Sequence, residues 1–510
     1  MTAVLAVATW LLSCEDTSSP SSVQSSAAGE RETAAVAEQE KRPEPEPEGP
    51  PKRIFAKKFV VNVRTEARAE AARIGYLRGG AVLRATSAEP VGHDGCRGGW
   101  FELTTGGYVC NGRDVTAFDG EELPDVRLAQ PDRSRRLPYE YGFIRKDRTP
   151  VYRRLPGDEA VERYERTEER KPRNGSGADA GSEVAAADGG GASADATSGD
   201  SEASEDADGG GPPTLEGLRA EEDDADILKR WLMRGFYVSL DRTFDVKWRR
   251  YWRTQQSGFV PFQNVMLVEG SDFRGRSLEE TDRTLPVAFV LSNRTARYVE
   301  RDDGRLRRDR DKPGYHHGFR IVGEREQRGR RYHEGHEGYF YRADDVVRIE
   351  ARDRPAEVKD TKWVDVDLGK QTLVAYEGDR PVYATLISSG RVRRQDVDEL
   401  DHATPTGTFR FSSKHLTSTM DGDNAIDGPY SIDDVPYVMY FELAYATHTA
   451  FWHNRFGRPK SHGCINIAPL DSKWLFEWAD PPLPEGWHGI YPDDDGPGTT
   501  LVIHGETPPG

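Results

Sequence analysis

The chemistry-bearing part of the sequence is the stretch from His448 to Asn466, built around a single cysteine, Cys464. A thiol becomes a nucleophilic thiolate near neutral pH only beside a base or a positive charge. This stretch supplies both: His448, His453 and His462 as imidazoles, and Arg455, Arg458 and Lys460 as cations. Gly463, just before the cysteine, permits a tight backbone turn in which successive N–H groups could converge on an oxyanion. The chain has four cysteines. Cys96 and Cys110 flank a Trp-containing segment and can close a small loop in an oxidising compartment, and Cys14 follows a short apolar run. Cys464 is left over from this pairing, which in an exported protein makes it a candidate reactive thiol or an inert buried one.

Ser461-His462-Gly463-Cys464-Ile465-Asn466 resembles the Ser/Thr-His-Gly-Cys-Ile/Leu/Val-Asn signature of the L,D-transpeptidases, the YkuD-type family. Ser388-Ser389-Gly390 and Ala403-Thr404-Pro405-Thr406-Gly407-Thr408-Phe409 resemble its strand and turn segments, so the resemblance runs from residue 363 to 506. It implies Cys464 as nucleophile and His448 as base, with His462, Gly463 and Cys464 shaping the turn and presenting oxyanion donors. Twelve residues separate His448 from Ser461, fewer than the family usually has, which leaves His453 as an alternative base. Ser461 and Asn466 are expected beside the substrate, and Trp452 and Tyr430 as walls of its cleft. Arg455 and Arg458 are expected to dock the free carboxylates of peptidoglycan stem peptides.

The implied reaction is acyl transfer without a cofactor or metal. Cys464 attacks the peptide bond between the third stem residue and D-Ala, D-Ala leaves, and an acceptor amine resolves the thioester into a 3→3 cross-link. The same thioester would serve an L,D-carboxypeptidase or an enzyme attaching a protein to the wall. A non-catalytic, lipid-anchored wall-binding protein is the alternative from a different class.

The elements that must position this site read as mainly β. Strand-like alternation from Trp363 to Leu368, Gln371 to Tyr376 and Val382 to Ile387 predicts a β-sandwich-like catalytic domain over 356–506 with few helices. The clearest helix signal runs from Asp471 to Ala479, with Asp471 or Ser472 as cap. Residues 53–116 resemble a bacterial SH3-like small barrel. The aromatic-rich residues 117–355 are expected to hold one or two more, interrupted by an acidic insert at 174–226. Tyr315-His316-His317 and His333-Glu334-Gly335-His336-Glu337 lack the spacing of a zinc site.

Residues 1–13 read as an export signal. Leu11-Leu12-Ser13-Cys14 resembles a lipobox, which implies a lipid anchor at Cys14 and a periplasm-facing place in the cell envelope. Residues 14–52, rich in Ser, Ala, Glu and Pro, read as a disordered tether. The chain carries 70 Lys and Arg against 87 Asp and Glu, a net of −17, which makes a nucleic-acid backbone a poor partner. Most of that charge is local: 15 Asp/Glu against Arg219 give the insert −14, leaving −3 for the rest. A monomer is expected.

Overall fold

Apolar and β-branched residues dominate Lys362–Asp367, Thr372–Glu377, Arg380–Ser388 and Thr500–His504, and these strands are almost wholly buried. In the computed structural model, which describes residues 50–119, 127–165, 227–278, 284–392, 402–422, 429–493 and 496–508, they form one sheet. Its order is Gly407–Arg410, Thr500–His504, Lys362–Asp367, Thr372–Glu377, Arg380–Ser388, with only the Lys362–Asp367 and Thr500–His504 pair parallel. A second run of strands, Ser413–Gly422, Tyr430–Glu442, Tyr445–Thr449 and Ile465–Ile467, joins it where Ile387 and Ser388 pair with Ile467 and Asn466. Val364, Val366, Leu373, Ile387, Met439, Ile465, Ile467 and Leu501 fill one core cluster between them.

The helix runs over Pro469–Trp478 rather than from Asp471. Pro469 occupies the first turn, where its missing N–H costs nothing, and the N-cap Ala468 offers no side-chain cap. Asp471 is therefore not a cap. Its carboxylate accepts from Tyr383 Oη at 2.7 Å and from the Gly275 amide at 2.8 Å.

The N-terminal strands are antiparallel: Arg53–Ala56 lies between Val82–Arg84 and Val115–Phe118, and Val60–Arg64 pairs with Arg73–Arg78. The last of these reaches 118, two residues past the expected boundary. Cys96 and Cys110 are joined in a disulfide. The expected separation of this region from the catalytic domain is corrected by the structure. Gly75 and Tyr76 pair with Ile490 and Gly489, which pair in turn with Lys414 and His415. Val61, Val63, Leu77 and Val109 share the core that holds Ile465 and Phe441. Sheet continuity of this kind between distant segments has no local sequence signal.

Between these regions lies an internal duplication. Tyr237–Val246, Arg249–Thr254, Phe259–Pro261, the 3-10 turn Phe262–Asn264 and Val265–Val268 recur as Gly318–Gln327, Arg330–Gly335, Phe340–Arg342, Ala343–Asp345 and Val346–Ile349. Each element is displaced by 81 positions, as Tyr237 to Gly318 shows. The pairing register repeats too. Tyr237–Phe143, Val265–Ile144 and Phe259–Tyr152 correspond to Gly318–Phe289, Val346–Val290 and Phe340–Tyr298. In the first repeat the hairpin between Thr149–Tyr152 and Leu228–Leu232 carries the acidic insert, whereas in the second the corresponding strands Arg297–Glu300 and Leu306–Arg308 are joined by residues 301–305. Residues 1–49, including Cys14, and the insert lie outside the described residues.

Two adjacent carboxylates on Tyr430–Glu442 tie these regions together. Asp434, 1 % exposed, forms a two-pronged ion pair with Arg78 of the N-terminal region, and Thr417 Oγ1, Gln256 Nε2 and Ser239 Oγ also donate to it. Asp433 accepts both contacts of Arg230 from the first repeat, at 2.8 and 2.9 Å. Removing one partner of such a pair leaves a buried charge unmatched. Asp434→Ala is expected to destabilise the protein by about 3–5 kcal/mol, read as a lower guanidinium midpoint. The double variant Arg78→Met with Asp434→Leu should recover most of that loss.

Candidate active site

The site begins with two short parallel strands. Tyr445–Thr449 pairs with Ile465–Ile467 so that His448 stands opposite Asn466. Side chains alternate along a strand, so Asn466 shares a face with His448 while Ile465 and Ile467 turn into the main core, and Cys464 directly precedes this strand. The Leu443-Ala444 turn between Tyr430–Glu442 and Tyr445–Thr449 brings the Ala444 carbonyl to 3.9 Å from the Cys464 Sγ.

Cys464 lies outside the Cys96–Cys110 disulfide and is 1 % exposed. Its cluster includes Tyr440, Val438 and Phe451 from the catalytic domain, and also Leu137, Tyr139, Tyr141 and Tyr237 from the first repeat. Tyr141 packs on Phe451 at 4.3 Å between centroids, and Tyr237 meets Phe451 edge-on. The first repeat thus roofs the thiol, a role that nothing in the sequence of those tyrosines reveals.

His448 is fully buried, and its Nδ1 donates to the Thr449 carbonyl at 3.1 Å. That contact places the proton of the neutral ring on Nδ1 and leaves the lone pair on Nε2. Nε2 has no hydrogen-bond partner among the described residues. Burial pushes the imidazole down to about 4, so it is neutral at pH 7 and able to accept a proton. His453 is half-buried and engaged at both nitrogens. Its Nδ1 accepts the Arg455 amide at 3.2 Å, and its Nε2 lies 3.1 Å from Asn466 Nδ2. Desolvation, then the Lys460 charge, holds this ring below the usual imidazole range.

The turn before the cysteine is braced from within. Ser461 Oγ accepts the Gly463 amide at 3.1 Å and donates to the Cys464 carbonyl. Gly463 has φ +124°, and a Cβ there would stand 2.4 Å from the Tyr445 ring. Gly390 is equally obligatory, because its Cβ would overlap the His402 carbonyl oxygen at 1.7 Å. Thr404 Oγ1 bridges the two glycines, accepting the Gly390 amide at 2.9 Å and donating to the Gly463 carbonyl at 2.8 Å. His462 is buried; Arg391 donates to its Nε2 at 3.1 Å, and Tyr430 stacks on its ring.

Several expectations change as a result. The Gly463 amide, expected as an oxyanion donor, is committed to Ser461. Ser461 and Asn466, expected to touch substrate, are fully buried and bind the turn and His453 instead. Tyr430, expected as a cleft wall, is buried against His462. Trp452 does line a cavity, and its ring lies 5.8 Å from that of His448. Arg455 and Arg458 are exposed on the loop beyond it. The sequence reading missed Ser271 and His316, which grip this loop from outside: Ser271 Oγ donates to Asn454 Oδ1 at 2.6 Å, and His316 Nε2 meets the Phe456 carbonyl at 3.1 Å.

Because Ser461 satisfies an amide and a carbonyl at once, Ser461→Ala is expected to cost about 1–3 kcal/mol in thermal denaturation. Ser461→Thr, which keeps the hydroxyl, should cost much less.

Comparison with known proteins agrees with this region. The family model of the L,D-transpeptidase catalytic domain, YkuD, matches residues 361–505. No curated protein matches the chain. Among solved structures, an L,D-transpeptidase from Stackebrandtia nassauensis is 27 % identical, covering 30 % of this chain and 60 % of its own, with a TM-score of 0.22. A mutant L,D-transpeptidase of Enterococcus faecium is 24 % identical over 28 % of this chain and 50 % of its own, TM-score 0.21. An L,D-transpeptidase from Mycobacterium smegmatis is 16 % identical over 37 % and 82 %, TM-score 0.22. This chain thus spans about half the length of the Enterococcus protein. Residues 361–505 are thus similar to the L,D-transpeptidase (YkuD) catalytic domain.

Proposed function

We propose that the protein is a peptidoglycan L,D-transpeptidase that forms 3→3 cross-links through a thioester on Cys464. The observation that carries this reading is the neutral His448, its Nε2 lone pair unpartnered among the described residues, on the strand paired with the one that Cys464 directly precedes. The Cys464 proton passes to His448 Nε2 as sulfur attacks the carbonyl carbon of the third stem residue. The C–N bond to D-Ala then breaks, the departing amine takes the proton from His448, and a thioester remains. The amine of a second stem attacks the thioester, loses its proton to His448, and displaces Cys464 sulfur. The reading places the protein at the cell envelope, exported and anchored by lipid at Cys14, acting as a monomer on stem peptides.

The direct test incubates the protein with disaccharide-tetrapeptides and identifies products by mass spectrometry. The expected product is a dimer that has lost one D-Ala, absent with Cys464→Ala. A tripeptide monomer alone would instead indicate the carboxypeptidase, and no product from folded protein would support the wall-binding alternative. His448→Gln should lower kcat/KM by about 10²–10⁴-fold, whereas His453→Gln, which can still bond Asn466, should retain most of it.

The pH dependence follows from the buried imidazole. His448 has its folded pKa depressed to about 4, so its base form persists on acidification and is lost only as pH falls through that value. The acid limb of kcat/KM attributable to His448 is therefore expected near pH 4, well below the usual imidazole range, and a limb near 6.5 would exclude it as the base.

A further inference from the structure

A cavity of about 880 Å³ lies where the segment joining the two repeats and the second repeat meet the catalytic loop. Gly270, Ser271 and Phe273 form one side, Tyr315 and His316 another, and Phe451, Trp452, His453 and Asn454 the catalytic side. Its size suits a short peptide. Trp452, which lines it, stacks on His448 at 5.8 Å between ring centroids, so the cavity adjoins the reacting centre through one side chain.

The walls are fixed. Besides the Ser271 and His316 contacts, Phe273 stacks on Phe456 at 5.9 Å between centroids, and a Cβ at Gly270 would press within 3.2 Å of the Phe451 Cβ. The second repeat is therefore part of the cleft and not a remote appendage.

The polar character is that of an anion site. The Trp452 indole N–H is buried and has no partner among the described residues. Arg274 lines the cavity, and the Tyr315 hydroxyl lies within electrostatic reach of Arg458 and Arg455. The one carboxylate among the lining residues, Asp272, is paired with Arg136. A hydrogen bond to a carboxylate is charge-assisted and would recover the desolvation of the Trp452 N–H, which has no partner among the described residues.

We propose that this cavity seats the carboxylate-bearing end of a peptide substrate, and that Tyr315 of the second repeat, with Arg458, determines specificity for it. The proposal rests on the transpeptidase reading for its substrate class, but its test needs no turnover. Cys464→Ala protein is titrated calorimetrically with one tetrapeptide in two forms, free C-terminal carboxylate and C-terminal amide. The carboxylate form is expected to bind about tenfold more tightly. Tyr315→Phe and Arg458→Glu, each in the Cys464→Ala background, should reduce that preference to about twofold or less, with the amide affinity little changed. Arg308→Glu, on an exposed strand of the same repeat, should leave it intact. Equal binding of the two forms, binding of neither, or a preference that survives both substitutions would overturn the proposal. If the preference is found but wild-type protein yields no Cys464-dependent product, the transpeptidase reading fails and the subsite stands.

Discussion

The buried pair Arg78–Asp434 is the constraint on which the arrangement of the molecule depends. Each charge taken from water alone would cost several kcal/mol, and neither side chain can retreat to solvent. The pair is tolerable only because the three regions supplying its partners are docked: Arg78 from the N-terminal strands, Ser239 and Gln256 from the first repeat, Thr417 from the catalytic domain. Asp433 next door repeats the logic with Arg230. Burial raises the Asp433 carboxyl to about 6, with Arg230 opposing that rise. Association by ion pairs is specific in a way that apolar contact is not, since a slip in register would strand a charge.

The strand bearing these aspartates is the one that turns at Leu443-Ala444 into the His448 strand. A contact far from His448 thus helps fix the strand that carries it. The enclosure beside the site serves chemistry as well as stability. It keeps His448 neutral by excluding water, and a neutral imidazole with an open lone pair is what proton abstraction from a thiol requires. The cost is access, because the same aromatic roof that dries the site also covers the sulfur.

Much of the catalytic domain was legible in the sequence because its signals are local. Ser461 through Asn466 fixes the turn, alternation gives the strands, and the unpaired cysteine stands out once Cys96 and Cys110 are joined. The chosen base also sits on a strand, as its segment suggested. What escaped was everything set by distant contacts. Ser461 and Asn466 read as polar residues near substrate, yet their partners lie within the turn and on His453. Arg78, Ser271, Tyr237 and His316 have ordinary surroundings in sequence, and only the folded chain brings them to the catalytic strands. The duplication was equally faint: apart from its aromatic flavour, the two copies agree in element length and register more than in residue identity.

That duplication shows how the chain accommodates its most acidic stretch. Tyr152 and Leu228 are directly paired, and the described chain after Tyr152 continues through the helix Asp158–Tyr164, which packs beside Tyr152 and Tyr251. The closure entropy of such a connection grows only with the logarithm of its length, each doubling adding about 0.6 kcal/mol. The second copy closes the corresponding hairpin within a few residues, between Glu300 and Leu306. The same strand pairing is thus closed by two connections of very different length, the short one spanning only residues 301–305.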